Sequence, residues 1–432
     1  MGGSRINRMR RCLHLPAGAV LDGRVDVASV RWLGSLAGRA VLRDLGPYDE
    51  SAAVGVSARL RAGGLAPDLV AAALTQQRLR TRAREKFGEL ADGMLFTADG
   101  LEQATRFEIA AGHAERFAQA SIATAHDLGC GIGSDAMALA ALDVTVAAID
   151  ADPVTAAVAD ANLRPWPDSR ARVGLAEDWV APPGAGRDRV GAWLDPARRV
   201  GGVADAAGRT RRVIRLDDIA PSWTTVLSIA QAVPATGVKL SPSFPHDQLP
   251  RGAEAQWVSR AGELLECTVW FGPLARTRGR SARVLRPGQA PIEVTEDTAT
   301  ADVPCVGGVN EVHPWLYETD RALVQADLVG AVTAATDGRE LEPGLGYVTA
   351  DTAYGLGYAR RYAVRDVLPL NVKALRAWLR ARQISGVTIK KRGVRLDEAG
   401  LMRQLKVRPG ADATLLLTRV AGHNAVLVLD QD

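Results

Sequence analysis

The spacing of apolar residues divides the chain into a helical N-terminal part and a part in which strands alternate with helices. Residues 28–118 carry apolar side chains at helical spacing, as in SVRWLGSLAGRAVLRDL, and show no strand alternation. The segment APDLVAAALTQQRLRTRAREKFGEL opens with Pro67 and Asp68 and becomes basic later, which the dipole of a helix favours. The pattern predicts a helical region over 28–118, preceded by a disordered lead over 1–27.

From residue 123 the rhythm changes to short apolar runs between helical segments. ATAHDLGCG predicts a strand, SDAMALAAL a helix, VTVAAID a second strand and DPVTAAVADANL a second helix. Further strands are predicted at ARVGLAED, at VGAWLD and around 237–240, with a helix near 223–232. Because strands that alternate with helices form parallel sheets, we expect an α/β, doubly wound domain over 119–275, ending in an antiparallel hairpin at 254–271.

The last part of the chain predicts a separate domain. Residues 276–312 are rich in Arg, Pro, Gly and Thr, which indicates a linker or a peripheral ribbon. Helices are predicted near 320–336 and 371–383, and the strand segments VTIKKRG, ATLLLTRV and NAVLVLD follow. We therefore expect an α+β domain over 313–432.

The composition excludes several classes of protein. The 432 residues carry a net charge of +4 and are 47% hydrophobic, which suits two or three domains with packed cores. None of the four cysteines belongs to a CxxC pair, so neither a zinc knuckle nor a disulfide framework is indicated. No apolar run is long enough for a membrane span or a secretory signal, and we expect a cytoplasmic protein that holds no metal.

Three glycines on alternate positions follow the first predicted strand. Gly129, Gly131 and Gly133 permit positive φ and a close approach of a ligand to the backbone, where the next helix begins. The third glycine lies two residues after the second, not three as in the dinucleotide fingerprint, which favours a nucleoside ligand without a pyrophosphate. Asp150 closes the second strand and can accept hydrogen bonds from both ribose hydroxyls.

These motifs carry a resemblance to a known class of enzymes. DLGCGIGSDAMALA together with VAAID resembles motifs I and II of class I S-adenosylmethionine-dependent methyltransferases, whose Rossmann-like seven-stranded sheet ends in such a hairpin. REKFGELADGMLFTADGLEQATR, DLGCGIGSDA, DPARR and VTIKKRGV resemble one bacterial family, in which a methyltransferase domain related to trimethylguanosine synthase carries a C-terminal THUMP-like domain. The resemblance covers most of the chain and implies an enzyme that uses S-adenosyl-L-methionine.

The resemblance also implies which residues contact the cofactor. Asp127 and the three glycines would line the methionine moiety, and Asp150 would hold the ribose. Asp178, in LAEDW, would accept a hydrogen bond from the adenine amino group. Phe96 and Thr97 would belong to a segment that folds over the cofactor.

WLDPARR ends the fourth strand, at the sheet edge that faces the transferable methyl group in this fold. Relatives that methylate amino groups carry an Asp/Asn-Pro-Pro-aromatic motif here, whose acid orients the target nitrogen while the aromatic ring stacks on the base. This sequence keeps Asp195 and Pro196 but has Ala197 and Arg198 in the last two places. The predicted catalytic residues are Asp195, Pro196 and Arg198. The motif lacks the aromatic ring that stacks on the base in enzymes that methylate a base nitrogen.

Several other residues could complete such a site. Trp223 or Trp257 could supply a ring from elsewhere in the chain. Arg198 and Arg199 could pair bidentately with a phosphate or a carboxylate, although a surface ion pair is as common. His246 follows the fifth strand on the same sheet edge and could take a proton, although a loop histidine is more often merely solvated.

The most basic stretch of the chain is TIKKRGVRLDEAGLMRQLKVR. Its strand ends in Lys390, Lys391 and Arg392, which would offer a positive edge to a phosphate backbone. Runs of Lys and Arg often form a solvated face, but THUMP domains bind RNA in modification enzymes, and the resemblance favours RNA as the partner. No aromatic residues interleave with the basic ones, so we expect recognition of RNA shape or backbone.

Three functions stay open on the sequence alone. The leading hypothesis is a methyltransferase that acts on a nucleotide of structured RNA, rRNA or tRNA, by in-line transfer. A non-catalytic RNA-binding scaffold is less favoured, because a scaffold needs neither the glycine motif nor Asp150. A methyltransferase for a small molecule or a protein is less favoured, because the C-terminal domain is basic. The sequence does not indicate an oligomeric state.

Overall fold

A computed structural model describes residues 26–184, 189–198 and 216–431, which form two compact units. Within those ranges, the first unit contains the residues up to 198 together with 216–238 and Phe271–Leu274. The second unit contains Lys239–Trp270 and the residues from 275 onwards. No helix in the described ranges is both long and apolar enough to cross a membrane.

The first unit begins with helices, as the apolar spacing predicts. Between residues 26 and 123 the described chain contains these helices: α1 Val27–Gly34, α2 Leu36–Leu45, α3 Ala53–Ala62, α4 Pro67–Phe87, α5 Ala98–Gln103 and α6 Phe107–Gln119. Asp26 caps α1 by accepting from the Ser29 N–H at 2.7 Å, and Ser35 caps α2 in the same way. The predicted helical N-terminal region is confirmed.

The rest of the first unit is a parallel sheet with intervening helices. Its elements are β1 Thr124–Leu128, α7 Ser134–Ala141, β2 Thr145–Asp150, α8 Pro153–Leu163, β3 Arg170–Val173, β4 Val190–Leu194, β5 Ala197–Arg198, β6 Ile219–Ala220, α9 Trp223–Ala232 and β7 Ala235–Leu240. The strand order is β7-β4-β1-β2-β3, and every neighbouring pair is parallel. The predicted doubly wound α/β arrangement is confirmed, and its core includes Leu128 and Leu194, which are both 0% exposed.

Parallel pairing brings the two chemically interesting strand ends together. Leu128 at the end of β1 lies opposite Leu194 at the end of β4, and it also lies opposite Ile149 in β2. The residues that follow these strands therefore emerge at one edge of the sheet.

The second unit contains a hairpin and a larger mixed sheet. Its elements are β8 Glu254–Arg260, β9 Glu263–Trp270, β10 Gly279–Leu285, β11 Ile292–Thr295, β12 Trp315–Thr319, α10 Arg321–Gln325, α11 Gly330–Thr336, β13 Arg339–Glu340, β14 Tyr347–Ala350, β15 Ala359–Pro369, α12 Val372–Ala381, β16 Gly386–Lys391, α13 Glu398–Leu405, β17 Arg408–Pro409, β18 Ala413–Val420 and β19 His423–Gln431. β8 and β9 pair antiparallel about a turn at Ala261 and Gly262, which both have positive φ. The predicted hairpin is thus present.

Residues 276–312, for which the sequence predicts a linker or a peripheral ribbon, contain the two strands β10 and β11. β10 pairs in parallel with β8, and β11 pairs antiparallel with β10. The sequence signal was weak because two arginines and a serine interrupt the apolar residues of β10 irregularly, although Ala282 and Val284 are buried.

The C-terminal strands form a sheet of order β13-β14-β12-β15-β19-β18-β16-β17. The predicted strands in VTIKKRG, ATLLLTRV and NAVLVLD are β16, β18 and β19. Helices α12 and α13 pack on this sheet through a cluster that includes Leu375, Trp378, Leu401 and Leu415. The 11-residue strand β15 was not predicted, because its charged residues break the apolar pattern.

Candidate active site

The glycine loop after β1 is tight at both ends and open in the middle. Gly129, Gly131 and Gly133 have φ values of +98°, +55° and +84°, a region in which only glycine is free of strain. A Cβ on Gly129 would lie 3.2 Å from the carbonyl oxygen of Asp195, and one on Gly133 would lie 3.4 Å from Ala159. A Cβ on Gly131 would meet no heavy atom within 4 Å, so open space lies before this residue.

The carboxylate of Asp150 points into this loop. One of its oxygens accepts from the Gly131 N–H at 3.0 Å, and the other accepts from the Asp152 N–H at 2.9 Å. Burial raises the pKa of Asp150, and the two hydrogen bonds oppose that shift. Each carboxylate oxygen has two lone pairs, so Asp150 keeps the capacity to accept further hydrogen bonds from a ligand.

Asp127 lies in β1 and is 1% exposed. Its register partners are Ala148 and Trp193, which places it in the interior of the sheet, two residues before Gly129. Burial raises the pKa of the Cys130 thiol well above its usual value, and the charges of Asp127 and Asp150 add to this. Both effects favour the neutral form of the cysteine inside the glycine loop.

The segment that contains Phe96 and Thr97 lies against the glycine loop. Thr97 caps α5 by accepting from the Gly100 N–H at 3.0 Å. A Cβ on Gly100 would lie 2.4 Å from the Ile132 side chain, so a glycine is needed where α5 meets the loop. Asn162 binds both neighbours, because its amide donates to the carbonyl oxygens of Leu95 at 3.0 Å and of Ile132 at 2.9 Å.

Phe96 and Asp178, at the margins of the predicted site, differ in exposure. Phe96 is 0% exposed, and its ring packs 5.7 Å from that of Phe87. Its backbone N–H and carbonyl both bind the buried side chain of Gln76. Asp178 is exposed at the end of a short 3₁₀ helix, Ala176–Asp178, that follows β3. Their roles toward the cofactor stay predictions.

The predicted catalytic segment follows β4 directly. Asp195 and Pro196 are half-buried, and the carbonyl of Asp195 lies beside Gly129. The next two residues, Ala197 and Arg198, form β5, which pairs antiparallel with β6. The structure thus brings Asp195 to the glycine loop, while the role of Arg198 stays a prediction and Arg199 lies outside the described residues.

A buried polar cluster behind this edge was not identified from the sequence. His113 and Asp135 are 4% and 7% exposed, and His113 Nδ1 lies 2.8 Å from an Asp135 carboxylate oxygen. Thr105 donates to the other oxygen of that carboxylate at 2.9 Å. The His113 ring lies 4.5 Å from the ring of Trp193, two residues before Asp195. The cluster therefore ties α6 and α7 to the strand that carries the catalytic segment.

The alternative residues that could complete the site lie in different surroundings. Trp223 is the first residue of α9 in the first unit. Trp257 belongs to the second unit and is 0% exposed, with its indole N–H donating to the Pro242 carbonyl at 2.9 Å. His246 lies in the same unit, where Nε2 is 2.9 Å from the Gln325 carbonyl oxygen. Its ring packs 4.8 Å from that of Trp257, so His246 anchors its own loop.

The predicted RNA-binding residues are partly engaged within the second unit. Lys390 and Arg392 both form ion pairs with Glu318, and Lys390 donates to the Tyr362 hydroxyl at 2.6 Å. Burial raises the pKa of Glu318, but the hydrogen bond and charge of Lys390 outweigh it and hold this pKa below its ordinary value. Lys391 is exposed and donates to a backbone carbonyl at 3.1 Å. These three basic residues therefore offer less positive charge to a ligand than the sequence alone indicates.

No group of three or more His, Cys, Asp or Glu side chains within the described ranges is placed to hold a metal ion.

Comparisons with known proteins found relatives that match most of the chain. Two family models match, one described as THUMP domain-like at residues 359–431 and one as a domain of unknown function at 26–83. Relatives from two strains of Mycobacterium tuberculosis, CDC 1551 and H37Rv, are described as uncharacterized S-adenosylmethionine-dependent methyltransferases. Each is 30% identical to this chain over 375 residues, which cover 84% of this chain and 95% of the relative.

A solved structure shows the same fold. It is described as a putative methyltransferase from Porphyromonas gingivalis W83, and it superposes with a TM-score of 0.64 over 89% of this chain and 98% of its own. The two sequences are 19% identical, so this likeness concerns the fold alone.

Proposed function

We propose that this chain, which belongs to the S-adenosylmethionine-dependent methyltransferases, methylates a nucleotide of structured RNA, either rRNA or tRNA. S-adenosylmethionine is the methyl donor of the family. The observation that carries the site assignment is the Asp150 carboxylate, which accepts from the Gly131 N–H beside open space, in the loop whose Gly129 lies beside the Asp195 carbonyl. We expect the enzyme to act in the cytoplasm, because four scattered cysteines suit a reducing compartment.

The residues at this edge fit S-adenosylmethionine. Space before Gly131 leaves room for the methionine moiety against exposed backbone, and the remaining lone pairs of Asp150 suit the two ribose hydroxyls. When bound, the cofactor supplies an electrophilic methyl group on a sulfonium. The short segment of Phe96 and Thr97, held on Ile132 by α5, would shield this site from water.

Asp195 would orient the acceptor. Its half-buried carboxylate can accept a hydrogen bond from the N–H or O–H group that is to be methylated, which directs the free lone pair of that atom along the line of displacement. Pro196 would hold the backbone after Asp195 in an extended turn, because proline fixes its own φ. The proton of the methylated group then leaves to solvent or to the Asp195 carboxylate.

The C-terminal domain supports an RNA substrate. The THUMP domain-like match covers β15 to β19, which include the basic strand end at Lys390 to Arg392. A groove of about 350 Å³ in this domain is lined by Arg360, Lys390 and Tyr362, among other residues. Arg360 and Lys390 could contact a phosphate backbone there, while Asp412 and Asp430 line the same groove and the Tyr362 ring is buried beneath the two cations.

Mass spectrometry of nucleosides tests the proposal. Total rRNA and tRNA from cells that lack the protein are compared with RNA from cells that carry the wild-type gene or the variant Asp195→Ala. We expect one methylated nucleoside to be missing in both the deletion and the variant strain and to return with the wild-type gene. If all methylated nucleosides are unchanged, the substrate is not RNA, and small molecules and proteins become the candidates.

A further inference from the structure

Three arginines of the first unit converge on a small patch of backbone carbonyls. Arg39, in α2, donates to the carbonyl oxygens of Gly34 at 3.2 Å, Gly93 at 3.2 Å and Ala161 at 2.6 Å. These acceptors belong to the end of α1, the segment before residue 94, and α8. Arg39 therefore lies where three separate parts of the chain meet.

The other two guanidinium groups share this patch. Arg164 donates to the same Gly34 oxygen that accepts from Arg39. Arg80, in α4, donates to the Met94 carbonyl at 2.8 Å, and Met94 follows the Gly93 peptide that binds Arg39. Shared or adjacent acceptors hold the three positive groups close to one another, although like charges repel.

Carboxylates do not neutralise this cluster in the part of the chain that the structure describes. Arg39, Arg80 and Arg164 form no ion pair there, and the nearby Asp92 is held by Arg84, at 2.7 and 3.3 Å. Burial, together with the charge of Arg39, lowers the pKa of Arg80 to about 10, against a smaller opposing effect of Asp92. Burial and then the charge of Arg164 lower the pKa of Arg39.

We propose that Arg39, Arg80 and Arg164, here termed the arginine cluster, bind a phosphate group. A guanidinium has five N–H donors, and the described carbonyls engage one donor nitrogen of Arg80 and one of Arg164. The remaining donors suit the bidentate recognition of a phosphate, whose charge would relieve the repulsion. One arginine is enough to cap the Gly34 carbonyl at the end of α1. Arg39 and Arg164 both donate to it, and Arg80 lies beside them, so the cluster holds more positive charge than capping requires.

The arginine cluster is accessible. Arg164 and Gly93 are exposed, while Arg39 and Arg80 are partly buried, so a ligand can reach the cluster from solvent and still lose part of its hydration. The phosphate comes either from the backbone of the RNA substrate, which rests on the proposed function, or from free inorganic phosphate. The two sources share this recognition chemistry, and two measurements separate them.

The first measurement is thermal unfolding of the full chain in sodium phosphate and in sodium chloride of equal ionic strength. Phosphate bound to the native state raises the unfolding midpoint. We expect this rise for the wild type and for Arg78→Gln, a control at an exposed residue of the same helix, and its loss in Arg80→Gln. Arg164→Gln, at an exposed position, should reduce the rise and serves if Arg80→Gln does not fold.

The second measurement is retention of a stem-loop RNA on filters at several salt concentrations, without cofactor. If the phosphate belongs to RNA, Arg80→Gln binds about tenfold more weakly than Arg78→Gln, with a salt slope lower by about one. Loss of the phosphate response with unchanged RNA retention assigns the cluster to free phosphate. If the Arg80 and Arg164 variants match Arg78→Gln in both measurements, the proposal is wrong. Neither readout involves methyl transfer, so failure of the proposed function is seen separately.

Discussion

Replacing Asp150 by asparagine tests the cofactor site with a side chain of the same shape. Asparagine keeps one oxygen to accept from the Gly131 N–H, which the carboxylate accepts at 3.0 Å, but its amide nitrogen then faces the Asp152 N–H, which the carboxylate accepts at 2.9 Å. It loses the negative charge and half of the acceptor capacity that would face the ribose. Hydrogen bonds to a charged group contribute about 1.5–3 kcal/mol each, so the partial loss of two should cost about 2–3 kcal/mol of cofactor binding.

The expected effect is an increase in the dissociation constant for S-adenosylmethionine of about 30- to 150-fold, from a wild-type value in the range of about 1 µM. Isothermal titration calorimetry on the purified full chain measures this directly. Asp152→Asn is a matched control, because Asp152 caps α8 at an exposed position and asparagine caps helices equally well. Equal affinities of wild type and Asp150→Asn, with equal unfolding midpoints, would refute the assignment of the ribose to Asp150.

Four further outcomes follow from the same geometry. On acidification, the affinity for the cofactor should fall at a higher pH than an ordinary aspartate would give, because burial raises the pKa of Asp150. Only the ionised carboxylate accepts hydrogen bonds from both ribose hydroxyls. Titration calorimetry from pH 4 to 8 should show this fall in the wild type and not in Asp150→Asn. Gly131→Ala should lose about 1 kcal/mol of stability in thermal unfolding, because the new residue must adopt a φ of +55° although its Cβ meets no protein atom. The same variant should weaken cofactor binding by far more than that, since its methyl group enters the open space. His113→Ala should lower the free energy of unfolding by about 2–4 kcal/mol in urea titrations, because it leaves a buried carboxylate with one partner fewer. Lys390→Ala should lower the unfolding midpoint, because it removes a partner of the half-buried Glu318. Lys391→Ala, at the exposed lysine that follows, should leave the unfolding midpoint unchanged.

The glycine loop was predictable because its signal is local. Positive φ at three alternate positions can be read from the letters, and the end of β2 places Asp150 beside the loop through parallel pairing alone. The position of Asp195 followed in the same way, because its strand could be recognised from a short apolar run. These inferences need no knowledge of side-chain packing.

The interactions that the sequence concealed join distant residues. Glu318 lies 72 residues before Lys390, and no pattern in the basic stretch indicates that a carboxylate engages its lysine. His113 and Asp135 meet across two helices, and each alone is a common helix residue. Strand β15 was missed because its charged side chains alternate with partly buried ones and break up the apolar run.

The letters of the basic stretch also overstated its chemistry. A run of Lys and Arg predicts a surface that binds phosphate. In the structure, however, Lys390 and Arg392 both pair with the half-buried Glu318, and they lie 4.8 Å from the rings of Tyr362 and Tyr347, respectively. The arginine cluster shows the opposite case, because Arg39, Arg80 and Arg164 are far apart in the sequence and converge only in the fold.

The most direct test of the account is a crystal structure of the full chain with S-adenosylmethionine. We predict both ribose hydroxyls within hydrogen-bond distance of the Asp150 carboxylate, the methionine moiety against Gly131, and the methyl group directed toward Asp195. A cofactor bound elsewhere, or bound at this edge with its ribose away from Asp150, would contradict the account.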